Sequence, residues 1–154
     1  MGDQAMTPRS DVTLRRARAA DADAVAELSE QLGYPIPADT VRTRLGKFVE
    51  DPDHVVLVAE QRGQVCAWVH AHVQQSIELA EPRGEIMGLV VSRDVRRAGI
   101  GRLLMEEAER WARDRGLDLM VLRSNVQRAE SHAFYPAIGY EHFKTQAAYR
   151  KRLR

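Results

Sequence analysis

The fold is decided by Glu-Ile-Met-Gly-Leu-Val-Val-Ser-Arg-Asp-Val-Arg-Arg-Ala-Gly-Ile-Gly-Arg, residues 85–102. Glu85 to Ser92 is apolar and β-branched on both faces, which predicts a buried strand. From Ile100 the apolar residues Leu103, Leu104, Ala108, Trp111 and Ala112 recur at helical spacing, so a long amphipathic helix is expected up to Arg115, with Gly116 as its left-handed stop. Between strand and helix lie Arg96, Arg97, Ala98, Gly99, Ile100, Gly101 and Arg102. First-turn amides of a helix lack intrahelical acceptors and carry the positive end of the macrodipole. Glycines at 99 and 101 allow close approach to the backbone, and three arginines add forked donors suited to phosphate. From this run alone, an anion site and a solvated, arginine-rich helix end are equally good readings.

The wider sequence narrows the choice. A P-loop would end in Gly-Lys-Ser/Thr, and a dinucleotide fold would carry a third glycine and a downstream acidic ribose ligand; both are missing. Arg96, Gly99 and Gly101 instead match Arg/Gln-x-x-Gly-x-Gly/Ala. That pattern resembles motif A of the GNAT superfamily of coenzyme-A-dependent N-acetyltransferases. The apolar strand before it, the Ile100-Gly101-Arg102-Leu103-Leu104 continuation and the later His132-Ala133-Phe134-Tyr135 fall where that family has them. The resemblance runs from about Val12 to Leu153.

Composition sets outer limits. The chain has 154 residues, enough for one domain with a sizeable core, and 44% of them are apolar. Its 23 basic and 22 acidic side chains argue against a phosphate-tracking nucleic-acid surface. No apolar run approaches the ~20 residues of a membrane span, and the N-terminus lacks a signal-peptide core. Met6 stands where a myristoylation motif needs Ser or Thr. Cys66 is the only cysteine, so no internal disulfide forms and a cytoplasmic protein is expected.

Along the chain, residues 1–11 read as a flexible leader and 12–154 as a single domain. Val12–Arg16 alternates as a first strand. Asp21 is the expected cap of a helix to about Leu32, and a second helix runs from about Ala38 to Val49. Strands 55–61 and 64–73 join at Arg62-Gly63, a hairpin signal. Val65, Ala67, Val69, Ala71 and Val73 share one face of the second strand; Cys66, Trp68, His70 and His72 share the other. A loop follows to Arg83. After the long helix, a strand from Asp118 to Ser124, a helix from Arg128 to Ile138, and closing strands Tyr140–Phe143 and Ala148–Leu153 are expected. The resemblance implies an α/β (α+β) GNAT-like fold: a mixed, largely antiparallel twisted sheet of six to seven strands, helices on both faces, and a splayed central strand pair.

The same resemblance implies the chemistry. Acetyl-CoA would be the cosubstrate. Leu89, Val90 and Val91 would line the pantetheine arm, residues Arg96 to Arg102 the diphosphate, and Asn125 the arm or the strand end, with Phe134 packing against core or coenzyme. On its own Tyr135 reads as a packed aromatic; in the family position it donates a proton to the departing thiolate. Glu85 is the candidate base for the acceptor ammonium, and equally a strand-end acid. His70 and His72 would help shape the acceptor pocket; as a lone His-x-His with no third ligand identified they are a weak metal signal, and no metal is expected. The implied activity is direct acetyl transfer, through a ternary complex, to the primary amine of a small molecule. The sequence pattern is similar to aminoalkylphosphonate N-acetyltransferases and to some aminoglycoside-type ones. A protein or peptide acetyltransferase and an acyl-CoA sensor are the alternatives. A homodimer is expected; nucleic acid and membrane are not.

Overall fold

Alternating and β-branched segments build the sheet, and the glycine turns set its connections. The computed structural model describes residues 11–95, 99–124 and 129–154. They fall into two compact units, one ending at Leu122 and one starting at Arg123.

The first unit holds five strands: β1 Val12–Arg16, β2 His54–Gln61, β3 Gln64–Gln74, β4 Arg83–Val91 and β5 Met120–Leu122. They lie in sequence order, antiparallel except for the β4–β5 pair. A parallel pair needs a crossover, and helix α3 (Ile100–Asp114) supplies it. At the β2–β3 turn both Arg62 (φ 53°) and Gly63 (φ 77°) are left-handed, as a tight two-residue hairpin requires.

Helices α1 (Ala22–Gln31) and α2 (Ala38–Phe48) cover one face of the sheet. There Ala22, Val25, Val41 and Leu45 pack with Val56 and Val58. Against the other face α3 packs across β2, β3 and β4, and its Ile100, Leu104, Met105 and Ala108 are fully buried, as are Ala67, Val69 and Ala71. Met105 is more deeply buried than the expected Leu103, so the apolar stripe is rotated slightly around the helix. Gly116 (φ 76°) follows the helix in the left-handed region, as expected.

Several expectations are corrected. Asp21 precedes α1 but does not cap it. Its carboxylate instead accepts from Arg15 Nη1 and Nη2 at 2.9 Å each and from the Arg18 amide at 2.8 Å. That bidentate pair holds the Asp21 carboxyl below the usual carboxylate range. Val65 does not share the face of Ala67. A bulge at Cys66 turns it toward Trp68 and the α1–α2 core. The strand expected from Asp118 to Ser124 shrinks to Met120–Leu122, and the sheet has five strands among the described residues, not six or seven.

In the second unit, α4 spans Ala129–Ala137 and Gly139 (φ 100°) follows it. The expected closing strands at Tyr140–Phe143 and Ala148–Leu153 are not formed. Residues 141–154 are exposed and carry no regular secondary structure. A strand is stable only with a neighbour to complete its ladder, and within this unit the described residues form none.

Candidate active site

The site is built on the end of β4. Its antiparallel ladder with β3 is complete as far as Val91, pairing Leu89 with Val69, Val90 with Trp68 and Val91 with Ala67. On its other side the ladder with β5 covers only Gly84–Met120, Glu85–Val121 and Ile86–Leu122. From Met87 to Val91, β4 therefore runs on beyond its parallel neighbour among the described residues. Backbone groups on such an edge need partners from elsewhere. Met87 itself sits in a bulge, because Ala71 pairs with Ile86 while His70 pairs with Gly88.

Beyond Val91 the chain turns sharply. The Ser92 amide donates to Cys66 O at 2.8 Å, and Arg93–Val95 form a single 3-10 turn. Arg93 Nη2 reaches the Gln31 carbonyl at 2.8 Å, tying this loop to the end of α1. Gly99 enters α3 with φ 82°, a conformation that other residues adopt only with strain. Ile100, Gly101 and Arg102 form the first turn of α3. Ile100 is 1% exposed and anchors that turn in the core. Arg102 Nε lies 3.4 Å from Glu106, a loose pair along the exposed helix face. Arg96, Arg97, Ala98 and Asn125, expected in the coenzyme site, lie outside the described residues.

On the α1–α2 face stands a group of ionisable side chains. Register places His54, His72 and Glu85 in one row across β2, β3 and β4, with His70 in the next row. His72 Nε2 and Glu85 Oε1 are 2.8 Å apart, and Glu85 is 5% exposed. His54 Nδ1 and His70 Nε2 are 2.9 Å apart, and the Phe48 ring stacks on His54 and lies tilted against His70, 4.4 Å and 4.6 Å between centroids. Burial pushes His70 down to about 4 and also lowers His54. Both imidazoles are therefore neutral near pH 7.

Sequence reasoning named Glu85, His70 and His72 but missed His54 and Phe48. The signal was hidden because an unbroken hairpin would pair His54 with Ala71, on the opposite face. The bulge at Cys66 shifts it to His72. Among the described residues no group of three His, Cys, Asp or Glu side chains is arranged to hold a metal ion. The Cys66 thiol is buried beside Ala59 O, and burial raises its pKa, which makes it a poor nucleophile.

Phe134 and Tyr135 lie on α4 in the second unit. Tyr135 packs edge-on against Phe134 at 5.0 Å and Tyr140 at 6.0 Å. Both rings are half-buried.

A parallel crossover thus leads through a left-handed glycine into an amphipathic helix, beside a strand that outruns its neighbour. Residues 22–140 match the model of the Acetyltransferase (GNAT) family, and the chain belongs to that family. It is an acyltransferase with a mixed α/β GNAT fold. Over 146 residues it is 33% identical to the aminoalkylphosphonate N-acetyltransferase of Salmonella typhimurium, covering 90% of this chain and 95% of the relative. Its fold matches an aminoglycoside 6'-N-acetyltransferase from Acinetobacter haemolyticus with a TM-score of 0.80 at 19% identity, over 92% of this chain and 99% of the other. A second aminoglycoside acetyltransferase, solved in complex with a CoA-linked acetylneamine bisubstrate analogue, matches with a TM-score of 0.81 at 19% identity over 92% and 98% of the two chains.

Proposed function

We propose that this enzyme transfers the acetyl group of acetyl-CoA directly to the primary amine of a small molecule, both substrates being bound together. The observation that carries this reading is the β4 edge from Met87 to Val91, which outruns β5 and leads through Gly99 to the start of α3. A pantetheine arm is a linear chain of amides, and an open strand edge offers it matching donors and acceptors. Leu89, Val90 and Val91 bind the arm through their main chain. The segment Arg96 to Arg102 takes the diphosphate, Asn125 assists the arm, and Phe134 packs against the coenzyme. The 33% identity to an aminoalkylphosphonate acetyltransferase supports a small, amine-bearing acceptor.

Two further roles complete the chemistry. An alkylammonium has a pKa of roughly 10 and must lose a proton before it attacks. Glu85 takes that proton. A departing thiolate, with an ordinary thiol pKa of roughly 8.5, is quenched by the Tyr135 hydroxyl. The lone cysteine supports a reducing, cytoplasmic setting, and the described residues contain no helix long and apolar enough to cross a membrane.

Saturating acetyl-CoA should raise the melting temperature, as any ligand of the native state does; an unchanged melting temperature overturns the reading. Thiol release is then screened over 2-aminoethylphosphonate, aminoglycosides, polyamines and lysyl peptides. Turnover of lysyl peptides alone would make it a protein acetyltransferase, and coenzyme binding without release from any amine a sensor. Tyr135→Phe should lower kcat at least tenfold and leave the acetyl-CoA-induced melting shift in place.

A further inference from the structure

We propose that His72 is the positioning residue of the general base, its Nε2–H fixing the direction in which the buried Glu85 carboxylate faces the acceptor amine. This rests on Glu85 being the base. An ionised carboxylate only accepts hydrogen bonds, so at 2.8 Å from Oε1 the His72 Nε2 is the donor and carries the proton. The Glu85 side chain is 7% exposed and that of His72 is 22% exposed, so the pair reaches from the interior to the surface through the imidazole. A carboxylate on a flexible three-bond stem, buried on a sheet face, needs such a bond to hold one rotamer.

His72 is itself held. Across the ladder His54 lies against it, 5.4 Å between ring centroids. His54 is fixed in turn by its bond to His70 and by the stacked ring of Phe48 at the end of α2. Phe48, His70, His54, His72 and Glu85 thus form a continuous series from the helix layer to the base. The titratable groups facing His72 are Glu85 from β4, His54 from β2 and His70 on its own strand, while Asp51 and Asp53 before β2 and Lys47 on α2 act on His54 in turn. With His54 and His70 neutral, the series orients Glu85 without making either of them a cation beside it.

The first test needs no acceptor. In the full-length protein, imidazole ¹⁵N NMR should show His72 locked as the Nε2–H tautomer, and Glu85→Gln should release that lock. A His72 spectrum that averages both tautomers, or one that Glu85→Gln leaves unchanged, overturns the proposal. Kinetics on 2-aminoethylphosphonate, or on the best amine of the screen, give the second test. His72→Ala should lower kcat at least tenfold with KM for acetyl-CoA unchanged, and His72→Gln, which keeps a donor, should recover most of the loss. Added imidazole should partly restore His72→Ala. Wild-type kcat in His72→Ala, or His72→Gln as impaired as alanine while folded, refutes the positioning role even where Glu85→Gln is inactive. Wild-type turnover in Glu85→Gln refutes the base assignment itself.

Discussion

His70 shows how a single buried side chain ties stability to pH. Its pKa lies at about 4, pushed down first by burial and then by His54 and His72 beside it. In the unfolded chain an imidazole titrates near ~6.5. Between those values the unfolded chain binds a proton that the folded one refuses, so the contribution is complete above ~6.5 and declines as pH falls toward 4. The expected loss is about 3 kcal/mol across that window. Urea unfolding at pH 7.5 and pH 4.5 measures it, and His70→Phe should flatten the difference. An equal pH dependence in the variant would reject the assignment. Asp21, lowered by Arg15, behaves as a carboxylate: its stabilisation persists above the ordinary range near ~4 and fades only in stronger acid. Steric tolerance differs just as sharply between two glycines of β4. A Cβ on Gly88 would stand 2.9 Å from Cη2 and 3.0 Å from Cζ3 of Trp68, a rigid ring, whereas on Gly84 it would meet the mobile Met120 sulfur at 2.9 Å. Gly88→Ala should therefore cost about 1–3 kcal/mol and Gly84→Ala clearly less, read as shifts in the urea midpoint. Equal costs would mean that the Trp68 ring moves as easily as a methionine tail.

At the scale of elements, legibility follows how local the cause is. Helix α3 was readable because its stripe and its flanking glycines are all encoded within one segment. Gly116 adopts the left-handed backbone expected of a helix stop, and Gly99, read only as a point of close approach, is left-handed too. The hairpin at Arg62-Gly63 was readable for the same reason. Its register was not. The bulge at Cys66 leaves no mark in the alternation of apolar and polar residues, yet it moves Val65 to the helix face and brings His54 opposite His72. Glu85 could thus be chosen from its position in the family pattern, while its imidazole partner required the ladder to be seen. The closing strands failed differently: their sequences suit strands, but a strand depends on a neighbour that lies elsewhere. The entrance to α3 supports a direct prediction. Gly99→Glu imposes a Cβ at φ 82° and a negative charge at the helix N-terminus. It should abolish the melting shift produced by acetyl-CoA while the variant still unfolds cooperatively. A wild-type shift would remove the diphosphate from this end of the helix.

For the whole molecule, association turns on residues 141–154. All of residues 141–154 are exposed, and they include Phe143 at 60%, Tyr149 at 94% and Leu153 at 89% exposure. Isolated apolar side chains on a surface are ordinary, but three within one strand-compatible segment leave apolar area for a partner to cover. A second copy of the chain would give the homodimer expected from the sequence, since each copy then receives what it offers. The segment carries Lys144, Arg150, Lys151, Arg152 and Arg154 against the single acid Glu141, so its association should weaken little as salt rises if the apolar residues provide the contact, and strongly if the charges do. Sedimentation equilibrium of the full chain should give twice 17.4 kDa. The double substitution Tyr149→Asp with Leu153→Asp should return it to a single chain mass with its melting transition intact. A monomeric wild type, or a double variant that stays paired, would show that the exposed segment does not join two copies.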